Sequence, residues 1–287
     1  MKDRFFLALD QGTSSSRAIL FDGTGRAVRT ASVALSVAFP RDGWVEQDPL
    51  QIWSTQRQAL EKVLDGVPPG SVVAAGITNQ RETVLGWERS TGKPVTPAVV
   101  WQCRRSAEIC DQLKVSGLEI EIRQKTGLVI DAYFSATKIR WMLENILGLR
   151  PRVESGDVVF GTVDSWLVWK LTEASGKSAF LTEPTNASRT MLFNLSRGEW
   201  DESLLTQFGL TRDNLAAVVP SQSDFGTIQF PGQPSGSDVP ILAVLGDQQA
   251  SLFGHGCFER GGIKCTFGTG AFLLLHFLLP HRPGHPA

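Results

Sequence analysis

Neither sign of charge predominates in this sequence of 287 residues, which has 28 basic and 29 acidic side chains and a net charge of −1. Without a basic excess, the chain has no long-range field that would attract nucleic acid or an acidic lipid surface. Long apolar runs are also missing, because the longest one, residues 271–279, is far below the roughly 20 residues that span a bilayer. The N-terminus carries no secretory signal pattern. We therefore expect a cytoplasmic protein without nucleic-acid or membrane partners.

Cysteine is scarce, and its spacing matches no metal or redox motif. The four cysteines contain no CxxC pair and no Cys/His zinc pattern; they are Cys103, Cys110, Cys257 and Cys265. We expect them to be reduced thiols, as is usual in the cytosol. Tyrosine is scarcer still, with one residue, Tyr133, against eight tryptophans and sixteen phenylalanines. Aromatic side chains of these kinds usually fill the core.

The common nucleotide-binding motifs are absent. The stretch 176–178 resembles the end of a P-loop, but Leu171 stands where that motif requires a glycine. No GxGxxG follows a predicted strand, which argues against a dinucleotide-dependent dehydrogenase. The glycine-rich, HRD and DFG segments of protein kinases are missing as well. Any nucleotide chemistry must therefore use a different phosphate-binding element.

The order of the predicted elements indicates the fold class. Apolar runs at residues 5–9, 17–22 and 27–35, separated by polar turns, predict a meander of three strands. Further strands are predicted at 72–77, 83–87, 95–101, 158–161 and 241–245, and helices at 104–113 and 136–147. A meander followed by alternating strands and helices is typical of an α/β fold with a mixed sheet flanked by helices.

A helix is predicted to begin at Asp48 and Pro49, because aspartate caps a first turn and proline suits the first helical position. The apolar face of this helix is expected to pack on the sheet through Leu50, Trp53, Leu60 and Leu64. A stretch rich in glycine, proline and serine, residues 232–238, is predicted to be a surface loop.

The turn between the first two predicted strands has the chemistry of an anion site. It reads Asp10-Gln11-Gly12-Thr13-Ser14-Ser15-Ser16-Arg17 and combines a glycine with four hydroxyl side chains. Such a turn presents backbone N–H groups and hydroxyls to an anion. Asp10 is suited to hold Mg²⁺ through water, and Arg17 is a planar donor for phosphate. On its own, the turn is equally consistent with a hairpin that has a polar tip.

Nine segments, taken in order, carry a family resemblance; they are residues 10–17, 43–49, 76–83, 100–105, 126–131, 160–167, 185–191, 246–249 and 267–272. The most specific are ITNQRET at 77–83, WQCRR at 101–105 and GDQQ at 246–249. The series resembles the glycerol kinases, a branch of the FGGY carbohydrate kinases, over residues 1 to about 275. The resemblance implies an actin/hexokinase-like (ribonuclease H-like) ATPase fold. It also implies a transferase that phosphorylates glycerol to sn-glycerol 3-phosphate with ATP, in glycerol catabolism.

The resemblance implies roles for individual residues. Glycerol would be bound by Arg81, Glu82, Trp101, Tyr133, Asp247, Gln248 and Phe272. The phosphates of ATP would be bound by Thr13, Ser14, Ser15, Arg17 and Thr269. Asp10 would hold Mg²⁺ through water, and Asp247 would be the catalytic residue that accepts the proton of the attacking hydroxyl. Without the resemblance, the Arg81-Glu82 pair would be interpreted as a solvated strand end, and Asp247 as a helix cap.

The resemblance also divides the chain into two parts. Residues 1–253 would form the FGGY N-terminal domain, which binds glycerol and phosphate, and residues 254–287 would begin an incomplete nucleotide-binding domain. We therefore expect a C-terminally truncated kinase with little or no activity. The fructose 1,6-bisphosphate site of some family members is not expected, because Asp238 stands where its loop, here 236–238, would carry an arginine.

Two other functions stay open. One is a sugar kinase of the same superfamily that acts on xylulose or gluconate, although the Arg81-Glu82 pair and the 101–105 segment argue against it. The other is a polyol-binding module that does not turn over ATP. A homo-oligomer of the intact enzyme is compatible with the sequence, which does not determine the oligomeric state.

Overall fold

The computed structural model describes residues 4–176, 178–229, 238–267 and 270–277. The strands in this part of the chain are β1 Phe5–Gln11, β2 Ser15–Asp22, β3 Ala27–Ala34, β4 Glu46–Gln47, β5 Val72–Asn79, β6 Val84–Glu88, β7 Ala98–Val99, β8 Val158–Thr162, β9 Leu181–Thr182, β10 Phe193–Asn194, β11 Glu199–Trp200, β12 Ala217–Val218, β13 Thr227–Ile228, β14 Val239–Gly246, β15 Ile263–Phe267 and β16 Ala271–Leu275. The α-helices are α1 Pro49–Leu64, α2 Ala107–Val115, α3 Glu119–Thr126, α4 Ser135–Asn145, α5 Leu149–Glu154, α6 Val163–Thr172, α7 Pro184–Ala187, α8 Glu202–Gln207 and α9 Asp247–Gly254. None of these described helices is both long and apolar enough to cross a membrane.

The larger sheet has six strands in the order β13-β14-β5-β1-β2-β3. β1, β2 and β3 form the antiparallel meander that the sequence predicts. β5 lies parallel to β1, β14 lies parallel to β5, and β13 pairs antiparallel with β14. Helices α1 and α6 contact this sheet. The predicted mixed sheet flanked by helices is confirmed.

A second, antiparallel sheet has the order β4-β7-β6-β8. The strands predicted at 83–87 and 95–101 pair only in part, because β7 has two residues and pairs with β6 at Val84 and Val99 alone. β6 instead pairs along its whole length with β8. Helices α2 to α5 and α8 contribute buried apolar side chains to the core around this sheet.

Helix α1 begins where the sequence predicts, and the Asp48 carboxylate accepts a hydrogen bond from the Leu50 N–H at 2.9 Å. The prediction of its buried face is correct only in part, since Leu50 is 55% exposed. The buried apolar positions of the helix are Ile52, Ala59, Leu60 and Val63. Leu50 stands two residues before Ile52, about 200° around the helix from it, and therefore lies away from the face that packs on the sheet.

The parallel strands bring three distant segments to one edge of the larger sheet. β1, β5 and β14 end at Gln11, Asn79 and Gly246, and the strand register aligns Asn79 with both of the others. In open α/β sheets, ligands bind beyond the carboxyl ends of the strands. The residues that follow these three strands therefore meet at the edge where a ligand is expected.

β15 and β16 form a separate antiparallel hairpin. Lys264 is buried on the inner face of the hairpin, whereas the outer face leaves Phe267 and Leu273 83% and 71% exposed. Residues 232–237 of the predicted loop at 232–238, and residues 278–287, lie outside the described residues. The domain boundary at residue 253 stays a prediction.

Candidate active site

A cleft of about 150 Å³ opens where the ends of β1, β5 and β14 meet the β15–β16 hairpin. It is lined by Thr13, Gln80, Arg81, Glu82, Trp101, Tyr133, Asp247, Gln248, Thr266, Gly270 and Phe272. All seven residues predicted to bind the substrate lie in this lining, together with Thr13 of the predicted phosphate turn. The cleft is therefore the candidate active site.

Asp247 is the first residue of α9 and is held by two donors on one of its carboxylate oxygens. Oδ1 accepts from the Arg81 Nε at 3.1 Å and from the Gln248 N–H at 2.7 Å. Among the described residues, the other oxygen, Oδ2, has only a long contact of 3.4 Å with Gln248 Nε2. The positive end of a helix dipole favours a carboxylate at this position. Asp247 is thus fixed through Oδ1, which leaves Oδ2 to interact with a ligand.

Arg81 is 6% exposed, which excludes the alternative interpretation of a solvated strand end. Its guanidinium also donates from Nη1 to Gln249 Oε1 at 3.2 Å. The side chain passes directly over Gly246, where an added Cβ would lie 2.5 Å from Arg81 Cδ. Glycine at position 246 is needed because nothing larger fits between β14 and this arginine.

The substitution Gly246→Ala is expected to displace Arg81 from Asp247 and to lower the free energy of unfolding by about 1–3 kcal/mol through overpacking. Gly23→Ala is the matched control, because an added Cβ there meets nothing within 4 Å. Denaturant unfolding of both variants measures the difference. Equal stability of the two, with Arg81 unmoved in a crystal structure of Gly246→Ala, would contradict this account of the close contact.

Glu82 combines deep burial with an unusual backbone. Its side chain is 2% exposed, and its φ of 63° lies in the left-handed region, which is uncommon for residues other than glycine. Arg189 Nε donates to Glu82 Oε1 at 2.6 Å and neutralises the buried carboxylate. The Arg189 guanidinium also lies over the rings of Tyr133 and Phe134, at 5.4 Å and 4.9 Å from their centroids. Sequence reasoning missed Arg189, although the segment 185–191 carried the family resemblance.

The single tyrosine contributes a hydroxyl to the cleft. Burial and, to a smaller extent, the Glu82 carboxylate raise the pKa of Tyr133 to about 12, against the lowering effect of Arg81 and Arg189. The hydroxyl therefore stays protonated at neutral pH and can both donate and accept a hydrogen bond. Its ring meets Trp101 edge to face, with the centroids 5.8 Å apart.

Trp101 and Phe272 form the apolar wall of the cleft, with ring centroids 6.1 Å apart. Trp101 is oriented by its Nε1, which donates to Thr13 Oγ1 at 2.9 Å. The Thr13 hydroxyl donates in turn to Gln80 Oε1 at 3.2 Å, and Gln80 Nε2 donates to Gln47 Oε1 at 2.8 Å. This chain ties the first turn to the end of β5. Gln80 lines the cleft and was not among the predicted site residues, although it lies within ITNQRET.

Lys264 is a third residue that sequence reasoning missed. It projects from β15, is 4% exposed, and its Nζ donates to Gln248 Oε1 at 2.8 Å. An ammonium can only donate, so this contact assigns the acceptor end of the Gln248 amide to Lys264. The Nε2 end is left on the side of Asp247 Oδ2. Burial lowers the pKa of Lys264, and the nearby Asp247 carboxylate raises it.

The predicted phosphate turn lies beside the cleft, but only Thr13 lines it. Ser14 and Arg17 are exposed, and the Gly12 N–H donates to the Ser15 carbonyl at 2.9 Å, which closes the turn. Arg17 Nη1 is 3.6 Å from Asp10 Oδ2. Thr269 lies outside the described residues, and its neighbours Thr266 and Gly270 line the cleft.

Asp10 is the residue predicted to hold Mg²⁺. Burial raises its pKa, Arg17 lowers it, and the facing Asp247 carboxylate raises it again. A pair of carboxylates close enough for Asp247 to raise the pKa of Asp10 fits a divalent cation held through water. The described residues contain no cluster of three or more His, Cys, Asp or Glu side chains that would bind a metal directly.

Comparison with known proteins identifies relatives of this chain. Residues 5–254 match the model of the FGGY family of carbohydrate kinases, N-terminal domain. The glycerol kinases of Halorhodospira halophila and Shewanella frigidimarina are each 51% identical to it, over 278 and 275 residues. These alignments cover 96% and 95% of this chain and 54% of each relative. The chain therefore spans about half the length of the curated relatives it matches.

Solved structures of carbohydrate kinases also resemble this chain over about half of their own length. The structure of Plasmodium falciparum glycerol kinase with ADP matches with a TM-score of 0.88 at 33% identity, over 95% of this chain and 54% of that one. Gluconate kinase from Lactobacillus acidophilus matches with a TM-score of 0.83 at 20% identity, over 94% and 54%, and this supports the fold alone. The predicted actin/hexokinase-like fold is confirmed. Because the family model covers most of its length, the chain belongs to the FGGY family of carbohydrate kinases.

Proposed function

We propose that the protein containing this chain transfers a phosphoryl group from ATP to glycerol and forms sn-glycerol 3-phosphate. The observation that carries the proposal is the cleft itself, where Arg81, Glu82, Tyr133 and Asp247 present polar groups opposite the apolar wall of Trp101 and Phe272. A triol needs a partner for every hydroxyl that it buries, because unpaired polar groups are costly. Its carbon chain needs an apolar surface, and this cleft offers both.

The chemistry would centre on Asp247. Its Oδ1 is occupied by Arg81 and the Gln248 N–H, so Oδ2 is the atom that would accept the proton of the attacking hydroxyl. Glu82 would accept from a second hydroxyl, and the protonated Tyr133 would donate or accept at the third. Trp101 and Phe272 would exclude water from the reacting oxygen, which favours transfer to glycerol over hydrolysis.

ATP would lie with its phosphates against the first turn. Thr13, Ser14, Ser15 and Arg17 would donate to the phosphate oxygens, and Thr269 would add a donor from the hairpin. Asp10 would hold the water shell of Mg²⁺, which supplies positive charge to the transferring phosphoryl group when bound. The ADP of the Plasmodium falciparum structure supports an adenine nucleotide as the second substrate. Residues 1–253 would form the glycerol- and phosphate-binding domain, with 254–287 at the start of the nucleotide-binding domain.

Titration calorimetry of this chain with glycerol, xylulose, gluconate and Mg-ATP tests the proposal. The substitution Arg81→Ala is expected to weaken glycerol binding about 10- to 150-fold, because a hydrogen bond to a charged group contributes roughly 1.5–3 kcal/mol. Arg57→Ala is the control, since Arg57 lies on the exposed face of α1 with its side chain 57% exposed. We expect glycerol to bind, and we expect no binding of xylulose or gluconate.

Two outcomes would contradict the proposal. Preference for xylulose or gluconate over glycerol would assign the cleft to a sugar kinase. Equal glycerol affinity in Arg81→Ala and Arg57→Ala would show that Arg81 serves the fold and not the ligand. A coupled kinase assay beside the calorimetry separates a binding module, which holds glycerol without turnover, from an enzyme.

A further inference from the structure

Lys138 is a fully buried lysine, with 0% exposure, in the first turns of α4, and the chemistry proposed above gives it no role. Its Nζ donates to three backbone carbonyl oxygens. These belong to Glu82 at 3.4 Å, to Phe134 at 3.3 Å and to Tyr133. Burial lowers the pKa of Lys138 to about 7, against the raising effect of the Glu82 carboxylate. An ammonium in the interior is costly, and packing alone would be served by an apolar side chain.

Ser135 lies one turn before Lys138 on the same face of α4. Its Oγ donates to the Glu82 carbonyl oxygen at 3.0 Å, and its side chain is also 0% exposed. Two side chains of one helix therefore converge on one carbonyl. That carbonyl belongs to the residue whose φ of 63° places it in the left-handed region. Such conformations persist only where the surrounding structure holds them.

The contacts of Lys138 also join two parts of the cleft that are far apart in sequence. Glu82 follows the end of β5, and Tyr133 precedes α4. Lys138 binds the carbonyl of each, so one side chain fixes the distance between the two residues. Their side chains line the same cleft. There Arg189 forms an ion pair with Glu82, and its guanidinium lies over the Tyr133 ring.

We propose that Ser135 and Lys138 are positioning residues that hold Glu82 and Tyr133 at the separation required by the hydroxyls of a small polyol. We call these two residues and their contacts with the carbonyls of Glu82 and Tyr133 the clamp. The identity of the ligand rests on the proposed function, whereas the clamp rests on the contacts described above. Loss of the clamp would let Glu82 leave its left-handed conformation and withdraw its carboxylate from the cleft. The cleft would then discriminate poorly between a triol and a diol, because discrimination depends on polar groups that a diol leaves unpaired.

Three variants of the full chain test the clamp: Ser135→Ala, Lys138→Met and Thr137→Val. Thr137 is the matched control because it lies on the same helix and is fully buried. Its hydroxyl forms a hydrogen bond of 2.9 Å with the hydroxyl of Ser106, away from Glu82. Two quantities are measured for each. One is the ratio of the affinities for glycerol and 1,2-propanediol, and the other is the melting temperature.

Ser135→Ala and Lys138→Met are expected to reduce the affinity ratio about tenfold, the effect of losing one hydrogen bond to a ligand hydroxyl. Thr137→Val is expected to lower the melting temperature and keep the ratio. The clamp is overturned if Ser135→Ala and Lys138→Met lose stability with an unchanged ratio. If Lys138→Met does not fold, Ser135→Ala decides the question by itself, since it removes only one hydroxyl.

If the proposed function is wrong, the calorimetry gives a different result. The wild-type chain would then show no binding of glycerol by calorimetry. The clamp is decided in that case by crystal structures of Ser135→Ala and Lys138→Met. Movement of Glu82 out of the left-handed region, with loss of its contact to Arg189, supports the clamp. A Glu82 that keeps both features in each variant overturns it.

Discussion

Replacement of Asp247 by asparagine is expected to lower turnover roughly 10²- to 10⁴-fold in an active protein that contains this chain, the usual contribution of a general base. The amide cannot accept the proton of the attacking hydroxyl, yet it fills the same space at the start of α9. The carbonyl end of the amide can still accept from Arg81 Nε and the Gln248 N–H, so we expect the fold to be preserved. The measurement is kcat in a coupled kinase assay at saturating glycerol, with circular dichroism to check folding.

Asp111→Asn is the control for this prediction. Asp111 lies on the exposed side of α2, where its only described ion pair is a 3.9 Å contact with Lys114 and its side chain is 78% exposed. A kcat of Asp247→Asn within about threefold of the control would exclude a general-base role, since even weak general bases contribute more. A large loss in both variants would point to a fault in folding.

Replacement of Arg189 by methionine is expected to lower the free energy of unfolding by about 3 kcal/mol, the lower end for breaking a buried ion pair. The reason is that Glu82, 2% exposed, would keep a buried carboxylate without its cation. We take the lower end because the Arg189 side chain is 23% exposed and is partly screened by water. The variant also loses the contacts of the guanidinium with the rings of Tyr133 and Phe134. Denaturant unfolding measures the change.

Two companion variants make the Arg189 result specific. Arg57→Met removes an ion pair between two exposed side chains and is expected to cost less than about 1 kcal/mol. Adding Glu82→Gln to Arg189→Met is expected to recover part of the loss, because the amide removes the unpaired charge. If Arg189→Met is as stable as Arg57→Met, the ion pair with Glu82 does not stabilise the cleft.

The sequence predicted the main elements because their signals are local. Apolar runs bounded by polar turns gave β1, β2 and β3, and an aspartate before a proline gave the start of α1. The orientation of α1 is a different matter, since tertiary packing decides which side of the helix the sheet covers. The sequence therefore placed Leu50 inside, where the structure has it 55% exposed.

The residues of the candidate site also fall into those that the sequence predicted and those that only the structure revealed. The motifs supplied Arg81, Glu82 and Asp247, which lie within segments that carry the family resemblance, and Tyr133, which follows the segment 126–131 by two residues. The residues that hold them in place were missed: Gln80, Ser135, Lys138, Arg189 and Lys264. Lysine and serine in a helix are usually solvent-exposed, so nothing local to α4 indicates that Lys138 is buried.

By itself, the sequence determined the β1–β3 meander, the start of α1, the family, and the residue types available for chemistry in the cleft. Only the tertiary structure decided that Arg81 and Asp247, 166 positions apart, form an ion pair, and that Glu82 is buried against Arg189. The physical reason is the distance along the chain over which each interaction acts. Propensity, capping and apolar periodicity act over a few residues, whereas burial and charge pairing depend on parallel strands that bring the segments after residues 79 and 246 to one edge of the sheet.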